Sequence, residues 1–108
     1  MKIEDKDSII VVHIETESLS ELALLIEEQL TNFSQKNIIV NLEENEVRPS
    51  GLIPFEPMAN KQMNNKKSFV IVADIDFDEI DDALVVVPTL QEAFDIIEMD
   101  EIERDLGF

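Results

Sequence analysis

The sequence contains no cysteine, no tryptophan and no tyrosine, and it has only two glycines and one histidine. Without cysteine there can be no disulfide, no catalytic thiolate and no thiolate metal site. The two glycines, Gly51 and Gly107, cannot form the glycine-rich loops with which many proteins hold nucleotide phosphates. These absences exclude several classes of enzyme and disfavour nucleotide binding by this chain.

Basic residues are also scarce, at 8 against 25 acidic residues, and the formal net charge is -17. Such a chain repels nucleic-acid phosphate and anionic membranes, and the lysines at 61, 66 and 67 are typical of a solvated helix end. We therefore expect no nucleic-acid partner and no membrane partner. Residues 1–7 are charged where a signal peptide would be apolar, and no apolar run approaches membrane-spanning length, which predicts a cytoplasmic protein.

With 108 residues, of which 44% are hydrophobic, the chain is predicted to form a single domain over residues 1–108. Runs of β-branched residues predict strands, and helical spacing with capping patterns predicts helices. The predicted strands cover residues 2–5, 8–15, 38–42, 68–73 and 84–87, and the predicted helices cover residues 18–33, 55–65 and 89–106. This order predicts an α/β fold with a four- to five-stranded, mostly parallel sheet covered mainly by helices.

A serine lies at an informative place in this order, because Pro49-Ser50-Gly51-Leu52 follows the 38–42 strand and precedes the second helix. Free backbone N–H groups and the helix dipole at such a position can hold a phosphate. The competing interpretation is a plain N-cap or turn serine, whose oxygen accepts hydrogen bonds from the same donors. Pro54 and Pro57 are expected to prevent a regular helix early in this segment.

The element order, the Ser50-Gly51-Leu52 sequence and the entry into the last helix over residues 85–93 resemble the STAS domain, the fold of bacterial anti-sigma factor antagonists. The resemblance covers nearly the whole chain. In that family, a serine or threonine of a D-S-[ST]-G-L-like motif is phosphorylated by a partner anti-sigma factor that is also a kinase, and phosphorylation breaks the complex. Arg48 stands where the family usually has aspartate, and Pro49 replaces the first hydroxyl residue.

The resemblance therefore implies a non-catalytic regulatory protein-binding module with no cofactor, no metal and no catalytic residue. Its partner would be a regulatory protein such as an anti-sigma factor with serine kinase activity, docked on the 43–55 loop and the helix after it, and Ser50 is the candidate phosphoacceptor. Because Arg48 and Pro49 depart from the motif, a constitutive scaffold without a phosphoswitch stays open as the alternative. The expected partner-binding residues are Arg48, Pro49, Ser50, Gly51, Leu52 and Phe55.

Two other features suggest chemistry. Residues 74–82 hold six carboxylates in nine positions, but Glu79 and Val85 occupy the glycine and glutamate positions of an EF-hand loop, which favours a solvated acidic loop. A metal-dependent hydrolase or nuclease that uses this run is the third hypothesis. His13 lies among apolar strand residues with Glu15 predicted on the same face, and a hydrogen-bonded, structural histidine is the favoured interpretation.

Overall fold

The computed structural model describes residues 1–33, 35–43, 45–75, 80 and 82–107 of the chain. The elements follow one another in chain order as β1 (Lys2–Lys6), β2 (Ile9–His13), α1 (Leu19–Phe33), β3 (Asn37–Asn41), a 3-10 helix (Pro49–Phe55), α2 (Glu56–Asn64), β4 (Phe69–Val72), β5 (Val85–Val87) and α3 (Leu90–Asp105). Each helix and strand predicted from the sequence is present, and the 3-10 helix before α2 is an additional element.

Among the described residues, the sheet has five strands in the order β1-β2-β3-β4-β5. The β1 strand pairs with β2 in the antiparallel sense, and all later neighbours pair in parallel. The tight connection between β1 and β2 is made possible by Asp7, whose φ of 63° lies in the left-handed region that aspartate tolerates better than most residues. The α/β fold and the mostly parallel sheet predicted from the sequence are confirmed.

Side chains alternate between the two faces of the sheet, because successive residues of a strand point to opposite sides. On the face covered by α1 and α2, which we call the α1 face, the buried strand residues are Ile10, Val12, Ile38, Val40, Phe69, Ile71 and Val86. On the other face, which we call the α3 face, they are Val11, Ile39, Val70, Val72 and Val87, packed against Ala93 and Ile97 of α3. Burial on both faces explains why these strands are continuous apolar runs.

Two helices begin at capping residues that the sequence predicts. At α1, Ser18 Oγ accepts from the Glu21 N–H at 3.2 Å, and Glu21 Oε1 accepts from the Ser18 N–H at 3.4 Å, so the predicted capping box is complete. At α3, Thr89 Oγ1 accepts from the Glu92 N–H at 3.2 Å. No helix among the described residues is both long and apolar enough to cross a membrane.

Candidate docking site around Ser50

Ser50 is the second residue of the 3-10 helix, and α2 begins only at Glu56. Ser50 precedes α2, as the sequence predicts, but it lies in the first turn of a 3-10 helix. Arg48 occupies the N-cap position, so the N-cap interpretation of Ser50 is wrong and its interpretation as a turn serine stays open. Pro54 explains why α2 does not extend back to Ser50, because proline has no N–H and its ring clashes with an α-helical preceding turn. The 3-10 helix leads directly into α2.

One side of the 3-10 helix is anchored in the core. Leu52 and Phe55 are both 0% exposed, and the Phe55 ring centroid lies 6.4 Å from that of Phe69. A Cβ on Gly51 would stand 2.7 Å from Leu19 Cδ1, so glycine lets this segment approach α1 closely. Because Leu52 and Phe55 are fully buried, they support the segment from within and do not offer a surface to a docking protein.

The other side of the 3-10 helix faces solvent. A 3-10 helix has three residues per turn, so residues three apart share a face. Leu52 and Phe55 share the buried face, whereas Ser50 and Ile53 share an exposed one, where the Ile53 side chain is 57% exposed. Arg48 is exposed at the N-cap of the same helix, and Pro49 and Gly51 are half-buried. We call Arg48, Ser50 and Ile53 the Ser50 surface.

Sequence reasoning missed Ile53, although a signal for it was available. An apolar residue between Leu52 and Pro54, one position after a buried residue, must turn away from the face that Leu52 and Phe55 bury. The Ser50 hydroxyl makes no hydrogen bond to any residue in the described ranges, so it is available for a partner or for modification.

The predicted phosphate cradle is only partly present. Pro49 has no N–H, and the Gly51 N–H already bonds to the Arg48 carbonyl at 2.9 Å. Within residues 49–51, this leaves the Ser50 N–H as the backbone donor with no backbone partner among the described residues. A phosphate on Ser50 would therefore depend mainly on solvent and on the Arg48 side chain.

His13, at the carboxyl end of β2, is held by two hydrogen bonds. Its Nε2 lies 2.6 Å from Glu4 Oε1, and its Nδ1 lies 3.0 Å from Asn41 Nδ2. Asn41 Oδ1 accepts from the Glu43 N–H at 3.0 Å, which fixes the amide so that its nitrogen faces the histidine. Because an amide nitrogen only donates, His13 Nδ1 accepts and Nε2 carries the proton to Glu4. The prediction that His13 is hydrogen-bonded is confirmed, but its carboxylate partner is Glu4, not Glu15.

A depression of about 460 Å³ lies at this edge of the sheet, lined by His13, Ile14, Asn41, Glu43 and Asn45. In open α/β sheets, small ligands bind where the strand order reverses. Here the parallel strands run from β2 to β5 without a reversal. The depression therefore does not lie at such a reversal, and His13 and Asn41 in its lining are hydrogen-bonded to each other.

In the part of the chain that the structure describes, no group of three or more histidine or acidic side chains could hold a metal ion. The acidic run from the sequence analysis is covered only in part, because residues 76–79 and 81 lie outside the described residues. The hydrolase or nuclease hypothesis therefore stays untested.

The contact between His13 and Glu4 predicts an acid-dependent contribution to stability. The hydrogen bond from His13 is the main cause that lowers the pKa of Glu4 below its ordinary value of 4.5. A carboxylate with a lowered pKa stabilises the fold above its ordinary pKa, and this contribution is lost as the pH falls through the lowered value. The difference in unfolding free energy between the wild type and Glu4→Gln should be present at about pH 6 and shrink as the pH falls below about 4.5.

This difference can be measured by urea unfolding over a range of pH. Glu28→Gln is the control, because Glu28 is an exposed carboxylate on α1 and its removal changes the net charge by the same amount. A Glu4→Gln difference that stays constant through the acid range would show that the contact with His13 contributes no charge-dependent stability.

No family model matches the chain, and neither a curated protein nor a solved structure matches it. The resemblance to STAS domains therefore stays a prediction from the sequence.

Proposed function

We propose that this chain is a regulatory protein-binding module that docks a protein partner on the Ser50 surface and releases it when Ser50 is phosphorylated. The observation that carries the proposal is the pairing of an exposed serine, which makes no hydrogen bond to the described residues, with an exposed isoleucine. Both lie on one face of a short helix whose other face is fixed in the core. The resemblance to STAS domains supplies the class of partner, which is an anti-sigma factor or another regulatory protein with serine kinase activity.

The anchoring of the segment favours docking without rearrangement. Leu52 and Phe55 hold the backbone in the core, and Gly51 allows it to approach Leu19, which restricts the movement of Ser50 and Ile53. A preorganised surface loses little conformational entropy on binding. Complete burial of a fully exposed large apolar side chain contributes about 1.5 to 3 kcal/mol. Because Ile53 is 57% exposed, its burial by a partner would contribute about half of that, which makes Ile53 a suitable anchor.

Phosphorylation would oppose the same contact. A phosphate adds about -1.5 to -2 charge at neutral pH, and burying a charge without sufficient partners is strongly unfavourable. Among the described residues of this helix end, Arg48 and the Ser50 N–H provide little compensation. On a chain with a formal charge of -17, a phosphate would also repel an acidic partner.

The proposal predicts how substitutions change binding of the natural partner. Ser50→Asp and Ile53→Ser should each weaken the affinity for the partner by about tenfold, which corresponds to about 1.4 kcal/mol. Less partner should then be captured from native cells. Ser50→Ala should capture at least as much partner as the wild type does, because it cannot be phosphorylated. Gln35→Glu is the control for added charge. Gln35 is exposed and precedes the amino end of β3, whereas Ser50 follows the carboxyl end of that strand. Quantitative mass spectrometry of the captured proteins measures the effect.

The constitutive scaffold is the second candidate function, and the incomplete phosphate cradle with Arg48 and Pro49 favours it. For a scaffold, Ser50→Asp and Ser50→Ala should capture equal amounts of partner while Ile53→Ser still weakens capture. If Ile53→Ser binds as well as the wild type, the Ser50 surface is not the docking site and both candidates are contradicted.

A further inference from the structure

The carboxyl-terminal half of α3 turns polar side chains toward the sheet. Ser68 Oγ donates to Asp100 Oδ2 at 2.7 Å, and Arg104 Nη2 donates to the same hydroxyl at 3.2 Å. Asn37, on β3, donates from Nδ2 to Glu101 Oε1 at 2.7 Å. In an ordinary surface helix these inward positions would be apolar, as Ala93 and Ile97 are in the first half of α3.

The apolar side chains of the same half lie on the outside. Met99, Ile102 and Leu106 are 60%, 52% and 65% exposed, and Leu106 is the residue that caps the helix. At about 100° per residue, the three positions fall within about 60° of one another, on the side of the helix opposite Ala93 and Ile97. We call them the α3 stripe. Their i, i+3, i+7 spacing is the pattern by which one helix packs against another or into a groove.

Acidic residues border the stripe. Asp95, Glu98 and Glu103 are all exposed on α3, and the whole chain carries a formal charge of -17. A second copy of the chain would bring the same acidic borders against these, so like charges oppose self-association. A helix with apolar anchors between lysine or arginine residues would complement both the stripe and its borders.

We propose that the α3 stripe binds a basic amphipathic helix of a protein partner. This site goes beyond the proposed function, because α3 covers the face of the sheet opposite α1 and the 3-10 helix. A chain with both sites could hold two proteins at once. The proposal accounts for the polar side chains that α3 turns toward the sheet. Asn37, Ser68 and their carboxylate partners attach the helix to the sheet, which leaves its outward apolar residues available for docking.

The test uses the full chain and a synthetic helical peptide of about 16 residues. Its leucines are spaced alternately three and four residues apart, so that they share one face, and its other residues are lysines. A second peptide has serines in place of the leucines and the same charge. We expect the wild type to bind the leucine peptide and to bind the serine peptide at least about tenfold more weakly. The double variant Ile102→Ser, Leu106→Ser should lose about tenfold or more in affinity for the leucine peptide, since two apolar anchors are removed.

Leu24→Ser is the matched control, because Leu24 is 61% exposed on α1, away from the stripe, and its substitution should leave peptide affinity unchanged. Equal binding of both peptides, or equal binding by the double variant and the wild type, would mean that charge alone attracts the peptide and would overturn the proposal. Sedimentation equilibrium tests whether a second copy of the chain occupies the α3 stripe instead. A wild-type dimer that the double variant abolishes would assign the stripe to self-association and would also overturn the proposal. Circular dichroism melting checks that the variants fold, as is expected for substitutions of exposed residues.

Discussion

Replacing Phe55 with alanine should lower the free energy of unfolding by about 3 to 5 kcal/mol. Phe55 is fully buried at the end of the 3-10 helix, and its ring packs against Phe69 of β4. The substitution removes apolar contacts and leaves a cavity that the surrounding side chains fill only in part. Because the marginal stability of a domain is about 5 to 15 kcal/mol, this loss is a large fraction of the whole.

Chemical denaturation of Phe55→Ala and of the wild type measures this loss. Ile53→Ala is the matched control on the same short helix, and we expect it to change the unfolding free energy by less than about 0.5 kcal/mol because Ile53 is exposed. Phe55→Leu, which fills much of the same volume, should cost about 1.5 kcal/mol or less. Equal stabilities of the Phe55→Ala and Ile53→Ala variants would contradict the anchoring of the 3-10 helix in the core.

Replacing Asn37 with alanine should lower the unfolding free energy by about 3 kcal/mol, because a buried amide that makes several hydrogen bonds is lost. Asn37 is 0% exposed, and its Oδ1 accepts from the Ser68 N–H at 2.8 Å. Its Nδ2 donates to the Ser8 carbonyl at 3.3 Å and to Glu101 Oε1 at 2.7 Å. Removal leaves the Ser68 N–H buried without its acceptor and Glu101 without its donor.

The same denaturation experiment tests this prediction, with Asn32→Ala as the control. Asn32 is exposed on α1, and alanine has the higher helix propensity, so the control should keep or slightly raise stability. Asn37→Asp should also destabilise, since it places a second carboxylate beside Glu101. An Asn37→Ala variant within about 0.5 kcal/mol of the wild type would show that the network does not attach α3 to the sheet.

The elements of the fold could be predicted because their signals are local. Continuous apolar runs such as residues 69–72 indicate strands buried on both faces, and serine or threonine three residues before glutamate marks the starts of α1 and α3. Long-range polar contacts have no such signal. The bonds from Asn37 to Glu101 and from His13 to Glu4 form only when β3 meets α3 and β1 folds back on β2.

The candidate site was predicted only in part, for two physical reasons. First, the prolines indicate an irregular segment, but they are compatible with both an extended loop and a 3-10 helix. Only the 3-10 helix puts Ser50 and Ile53 on one face. Second, the motif resemblance assigns Leu52 and Phe55 to a partner surface, but both are fully buried, because a segment fixed to the domain needs apolar residues in the core. The outward stripe of α3 was missed because an apolar residue in a helical pattern is assumed to face the core.

The measurement that tests the regulatory proposal most directly compares Ser50 in two fractions of the protein from its native cells. The protein bound to its partner is separated from the free protein, and the fraction of Ser50 that carries phosphate is determined in each by mass spectrometry. The proposal predicts phosphorylated Ser50 enriched in the free fraction and nearly absent from the complex. Phosphate present equally in both fractions, or absent from both, would contradict release by phosphorylation.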